Sequence, residues 1–82
     1  MVTVTEVYQD GDCPCISVWT ICGTVETSWC VHDDDTIESI YAYHGGIETE
    51  TAREATAEES ALILDAVRKY RAGEWKISSR RN

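Results

Sequence analysis

The sequence predicts an α+β fold, an antiparallel β-sheet of four to five strands with one C-terminal α-helix packed on one face. Residues 2–51 fall into short runs of Val, Ile, Thr, Trp and Tyr divided by Gly and Asp turn signals, whereas residues 56–72 repeat apolar side chains at helical spacing. The chain has 82 residues, which fits a single domain, 1–82, and leaves no material for a second sheet layer. A domain of this size buries about 60% of the surface its unfolded chain exposes, so the core is thin. Three Trp, four Tyr and a hydrophobic fraction of 43% set the chain apart from disordered sequences.

Each element has its own local reason. Val2 to Tyr8 is rich in Val and Thr and reads as a strand closed by the turn Asp10-Gly11-Asp12. Cys15 to Cys22 is β-branched and aromatic, a second strand, and Gly23 permits a turn. Thr24 to His32 alternates Val25, Thr27, Trp29 and Val31 against Glu26, Ser28, Cys30 and His32, the period of a half-buried strand. Asp33-Asp34-Asp35 is a solvated turn. Thr36 to Tyr43 fits a strand by its β-formers, although Asp35, Glu38 and Gly45-Gly46 would also cap a short helix. Ile47 to Thr51 follows as a fifth strand, and Trp75 to Ser78 is a candidate short return strand. The helix opens at Thr56, where Thr56-Ala57-Glu58-Glu59 forms a capping box. It carries Ile63, Ala66, Val67 and Tyr70 as its apolar stripe and stops at Gly73.

Strand parity assigns the two sheet faces. Pairing about Asp34 sets Val31 against Ile37, Trp29 against Ser39, Thr27 against Tyr41 and Val25 against Tyr43. A three-residue loop, His44-Gly45-Gly46, then keeps Ile47 on the same side. The apolar face expected under the helix is Ile16, Val18, Val25, Trp29, Val31, Ile37, Tyr41, Tyr43 and Ile47, with Cys22 on the core side. The opposite face collects Glu26, Glu38, Glu48 and Glu50 around Trp19, with Ile21, Ile40 and Ala42 among them. Trp19 is covered there by the first strand or the C-terminal segment, or it is open to a partner.

Charge narrows the class of partner. Fifteen acids against seven bases give −8, and the imbalance is segregated. Residues 1–67 hold fourteen acids and one base, Arg53, for −13; residues 68–82 hold six bases and one acid, Glu74, for +5. An acidic body disfavours direct capture of nucleic acid, which needs cations to displace counterions. It favours basic protein surfaces, including those of nucleic-acid-binding complexes. Part of the segregation also serves the helix, whose acids stand at its start and bases at its end. Trp19, Glu26, Glu38, Glu48 and Glu50 are therefore the candidate partner-binding residues, and the basic tail leaves self-association open.

Chemistry at a discrete site has less support. Cys13, Cys15, Cys30 and His32 point to one face on this register and could form a zinc site. Cys-x-Cys and Cys-x-His are nevertheless unlike the usual knuckle spacing, and no cofactor or metal is assigned. A Cys-His nucleophile pair lacks a third orienting group, and Gly45-Gly46 lacks the lysine of a phosphate loop, so no enzyme activity is expected. Residues 1–6 show no basic or apolar leader region, and no apolar run approaches the about 18 residues of a membrane span. The expected compartment is the cytoplasm, with its cysteines reduced.

The strand-and-helix pattern, the turn-rich middle Tyr41-Ala42-Tyr43-His44-Gly45-Gly46-Ile47-Glu48 and the acidic body resemble, in type, the small acidic proteins encoded by phages and other mobile elements. Some of these are anti-CRISPR or other anti-defence inhibitors that imitate the charge of a nucleic-acid backbone. The resemblance implies a non-enzymatic inhibitor of a basic protein surface and transfers no site residue. The alternatives are a small zinc-stabilised module and an antitoxin-like neutraliser of a basic toxin.

Overall fold

The computed structural model describes residues 1–9, 11, 14–49 and 53–75. Five strands run β1 (Val2–Gln9), β2 (Ile16–Cys22), β3 (Val25–Val31), β4 (Ile37–His44) and β5 (Ile47–Thr49), followed by the helix α1 (Ala57–Arg71). The strands form one antiparallel sheet in the order β1-β2-β3-β4-β5, a meander in which each strand pairs with the next along the chain. The fold is therefore α+β as predicted, and Ile37–His44, within the segment that could have been a helix, is a strand. Trp75 lies outside any strand, and the rest of the candidate return strand falls outside the described residues, as do Glu50 and Thr51.

The helix begins as its sequence requires. Thr56 Oγ1 accepts from the Glu59 backbone N–H at 3.1 Å, and the Glu59 carboxylate accepts from the Thr56 N–H at 2.9 Å, the reciprocal pair of a capping box. At the other end the Ala72 N–H donates to the Arg68 carbonyl, and Gly73 takes the left-handed conformation that suits it after a C-cap. The helix lies over β1 and β2. Its Ile63, Ala66 and Val67 are buried against Val7, Ile16, Val18, Trp29 and Val31, and Tyr70 and Leu64 pack half-buried at the margin.

Residues 53–55 extend the cover toward β3 and β4. Arg53 stands with its guanidinium carbon 4.9 Å from the centroid of the Trp29 ring, and Ala55 packs on the core. Ser39 fixes this strap: its hydroxyl donates to the Arg53 carbonyl and accepts from the Arg53 N–H, each at 3.1 Å. Trp29 is fully buried, and its indole N–H is satisfied by Thr20 Oγ1 at 2.9 Å.

Two irregularities correct the register drawn from parity. The β3–β4 pairing follows the expectation through Val31↔Ile37 and Trp29↔Ser39, then slips by one, so that Ser28 faces Tyr41, Thr27 faces Ala42 and Glu26 faces Tyr43. Ile40 is the extra residue of this bulge. Tyr41 and Tyr43 therefore leave the helix side for the open face, and Ala42 takes the buried position. The β4–β5 turn is also shorter than expected: His44 pairs with Ile47 across Gly45-Gly46, both glycines at positive φ (64° and 84°), a two-residue hairpin loop. The two one-residue corrections cancel beyond the turn. Ile47 keeps its helix-side parity, although it is 71% exposed because the helix does not reach it. Val25 and Cys22, also expected in the core, sit exposed at the same end of the sheet.

Candidate partner-binding face

The sheet face away from the helix is built by the odd–even alternation of four strands and the start of a fifth. Across it run two rows: Glu6, Trp19, Ser28 and Tyr41; then Thr3, Ile21, Glu26, Tyr43 and Glu48. Trp19, Glu26, Glu38 and Glu48 are thus brought to one face as the sequence predicts; Glu50 lies outside the described residues. Trp19 pairs with Glu6 of β1 and is half-buried, partly sheltered by its neighbours and partly open.

The aromatic content of this face exceeds the expectation. Trp19 and Tyr43 sit two strands and one row apart, about 11–12 Å at the backbone, yet their rings stack with centroids 5.9 Å apart and planes 25° from parallel. They meet across β3, where Ser28 is small and buried. Tyr41 continues the strip at 6.4 Å from Tyr43, tilted by 35°, and is 45% exposed. Ile40 adds exposed apolar surface at the bulge. Around this strip stand the exposed carboxylates. Glu26 and Glu48 are the direct cross-strand partners of Tyr43, one on each side, a spacing of about 5 Å between Cβ atoms.

Apart from Glu38 with His32, the ion pairs among the described residues lie elsewhere. Arg53 binds Glu59 through both guanidinium nitrogens at 2.8 Å. Arg68 and Lys69 hold Asp65, and Arg71 reaches Asp35 at 3.5 Å. The described bases of the C-terminal segment thus answer acids of the helix and of the β3–β4 turn. On the open face Glu38 lies 3.3 Å from His32 Nε2, while Glu26 and Glu48 enter none of these pairs. Arg53 donation holds the Glu59 carboxyl below its usual range. The Arg68 bond does the same for Asp65, and the Thr36 bonds for Asp34.

The cysteine cluster resolves differently from the sequence expectation. Cys15 and Cys30 form a disulfide, with Cα atoms 5.9 Å apart. Ser17 is the register partner of Cys30, so Cys15 is its diagonal neighbour on the open face. The expectation that these thiols stay reduced rested on compartment alone and not on the juxtaposition the register creates. In this state neither sulfur is a thiolate ligand or nucleophile, and His32 faces Glu38. Cys13 lies outside the described residues, and among the described residues no group of three or more His, Cys, Asp or Glu is placed to hold a metal. Concavities of about 530 Å³ and about 400 Å³ lie against Pro14, His32, Asp33, Asp34 and Thr36, and against Ile37, Glu38, Ser39, Arg53 and Glu54; the second is lined mostly from the helix side of the sheet. No helix among the described residues is long and apolar enough to cross a membrane.

The sequence reading missed Tyr41 and Tyr43 as members of this face. The available signal was Gly45-Gly46, whose natural two-residue turn conflicts with an unbroken β4 register and so calls for a compensating bulge. Comparison of the chain with protein-family models, with curated proteins and with solved structures finds no match.

Proposed function

We propose that this chain is a small acidic, non-enzymatic binding or inhibitory protein whose open sheet face engages the basic surface of a nucleic-acid-binding protein. One observation carries the reading. Glu26, Glu38 and Glu48 surround an aromatic strip centred on Trp19 and Tyr43, on the face the helix leaves uncovered. An apolar strip with a charged rim has the anatomy of a contact site, the aromatics supplying contact area and the rim supplying steering. The −8 net charge adds long-range attraction to a cationic groove and repulsion from nucleic acid itself.

The test begins with a basic partner captured on the immobilised chain and proceeds to association kinetics across a sodium chloride titration. Glu26→Lys combined with Glu48→Lys is expected to slow association by about tenfold at low salt and to change dissociation less. Trp19→Ala is expected to act mainly on dissociation. Equal association rates for parent and reversed variant at every salt concentration would overturn the acidic-face mechanism.

The compartment follows the redox state. A cytoplasmic setting, as in an anti-defence inhibitor, requires Cys15 and Cys30 to be reduced or only transiently bonded; a persistent bond belongs to an oxidising compartment. Thiol counting on chain quenched directly from cells decides between them.

A further inference from the structure

The open face displays two parts of a three-part arrangement that the chain completes elsewhere. On the helix side, the Arg53 guanidinium lies against the Trp29 ring at 4.9 Å while both of its terminal nitrogens donate to the Glu59 carboxylate at 2.8 Å. Ring, guanidinium and carboxylate satisfy one another: the cation lies over the π-face, and its edge donors fork onto the acid. On the open face the ring and the acid recur without the cation. Tyr43 is stacked with Trp19 and flanked in register by Glu26 and Glu48, which take part in no ion pair among the described residues.

Resting on the function proposed above, we infer that this face selects arginine side chains: a guanidinium of the partner stacks on the Tyr43–Trp19 strip and donates to Glu26 and Glu48. The chemistry separates arginine from lysine. A guanidinium is planar and weakly hydrated, so it covers a ring while its edge reaches carboxylates on either side. An ammonium is a compact, strongly hydrated point charge that the carboxylates attract equally well without the rings. The arrangement also argues against a neutral stacking ligand, because two unpaired carboxylates beside the ring are left unanswered by it.

The experiment uses the full chain and two probes, an oligo-arginine and an oligo-lysine peptide of equal length, titrated by calorimetry at low and near-physiological salt. The arginine peptide is expected to bind about fivefold more tightly or better, the range a stacked cation adds at a partly exposed ring. Tyr43→Ala is expected to remove that preference, and Tyr43→Phe, which keeps the ring, to retain it. The comparison of peptides on the parent chain needs no variant, so it decides even if Tyr43→Ala unfolds. Equal affinities for the two peptides, both weakened by Glu26→Gln with Glu48→Gln, would overturn the arginine selection and leave the acidic-face function standing. Failure of both peptides to bind at low salt would overturn the two together. Dimerisation of the parent chain that Tyr43→Ala abolishes would make a second copy the occupant and also overturn the inference.

Discussion

Glu59 is an acid with an unusually full set of partners for so small a domain. It is 5% exposed, and its two carboxylate oxygens accept from both Arg53 nitrogens and from the Thr56 N–H. Through Arg53 it holds the strap over Trp29, and through Thr56 it starts the helix. Glu59→Gln keeps the shape and loses the charge-assisted fork. The expected cost is about 1–3 kcal/mol, read as a shift in the denaturation midpoint at neutral pH. The pH dependence has a definite sign. The Arg53 bond lowers the folded-state pKa of Glu59, so the unfolded chain holds the proton more tightly. The contribution is fully present above the ordinary glutamate value of about 4.3 and is lost as pH falls through the lowered folded value. Melting curves taken downward from neutral pH should show the parent losing part of its advantage over Glu59→Gln in that acid window. Parallel curves would show that ionisation of Glu59 contributes nothing to stability in that window.

At the scale of elements, the cross-strand disulfide and the β4 hairpin decide how the open face is presented. Cys15 and Cys30 close a loop of separation 15, for which the chain-entropy account gives about 3 kcal/mol. Reductant, or Cys15→Ser with Cys30→Ser, is expected to lower stability by roughly that amount in chemical denaturation. Unchanged midpoints would mean the bond is dispensable. The hairpin makes a separate demand. Gly46 holds φ at 84°, and alanine there is expected to cost about 1–2 kcal/mol, measured by the same denaturation.

These elements also mark where the sequence could be read and where it could not. The capping box at Thr56 and the Ile63, Ala66, Val67 stripe were legible because each has a fixed spacing. Strand identities and the shared face of Trp19, Glu26, Glu38 and Glu48 followed from period-two parity. The bulge at Ile40 has no compositional marker, and tyrosine suits either face because its ring is apolar and its hydroxyl polar. Parity alone therefore sends Tyr41 and Tyr43 inward, and only the two-residue Gly45-Gly46 turn, with the bulge it requires, returns them to the face they share with Trp19. The disulfide was missed for a different reason: the register already gathers Cys15 and Cys30 on one face, but the expected cytoplasmic compartment casts them as reduced thiols.

For the whole molecule, the two faces of one sheet serve different ends, and salt should separate them. The helix side is a thin apolar core centred on Trp29, Ile63, Val18, Val31 and Val67. Ile63→Asp places a carboxylate there without a partner and is expected to cost several kcal/mol, enough to unfold much of the population. The open side carries exposed carboxylates that contribute no ion pair at Glu26 and Glu48, so Glu26→Lys with Glu48→Lys should leave the fold at least as stable as the parent. Salt then acts with opposite signs on the two properties. A chain of net charge −8 repels itself when compact, and screening relieves that repulsion, so its melting temperature should rise as sodium chloride increases from a few millimolar toward physiological strength. Over the same range the attraction of the open face for a cationic partner should weaken, because charges further apart than about 8–10 Å cease to act on one another. Thermal melting and peptide binding measured on one salt series test this directly. A fall in both would mean that native ion pairs such as Arg53–Glu59 outweigh self-repulsion in the electrostatics of the fold. A rise in stability with no loss of binding would mean that the aromatic strip alone, without the glutamates, holds the partner.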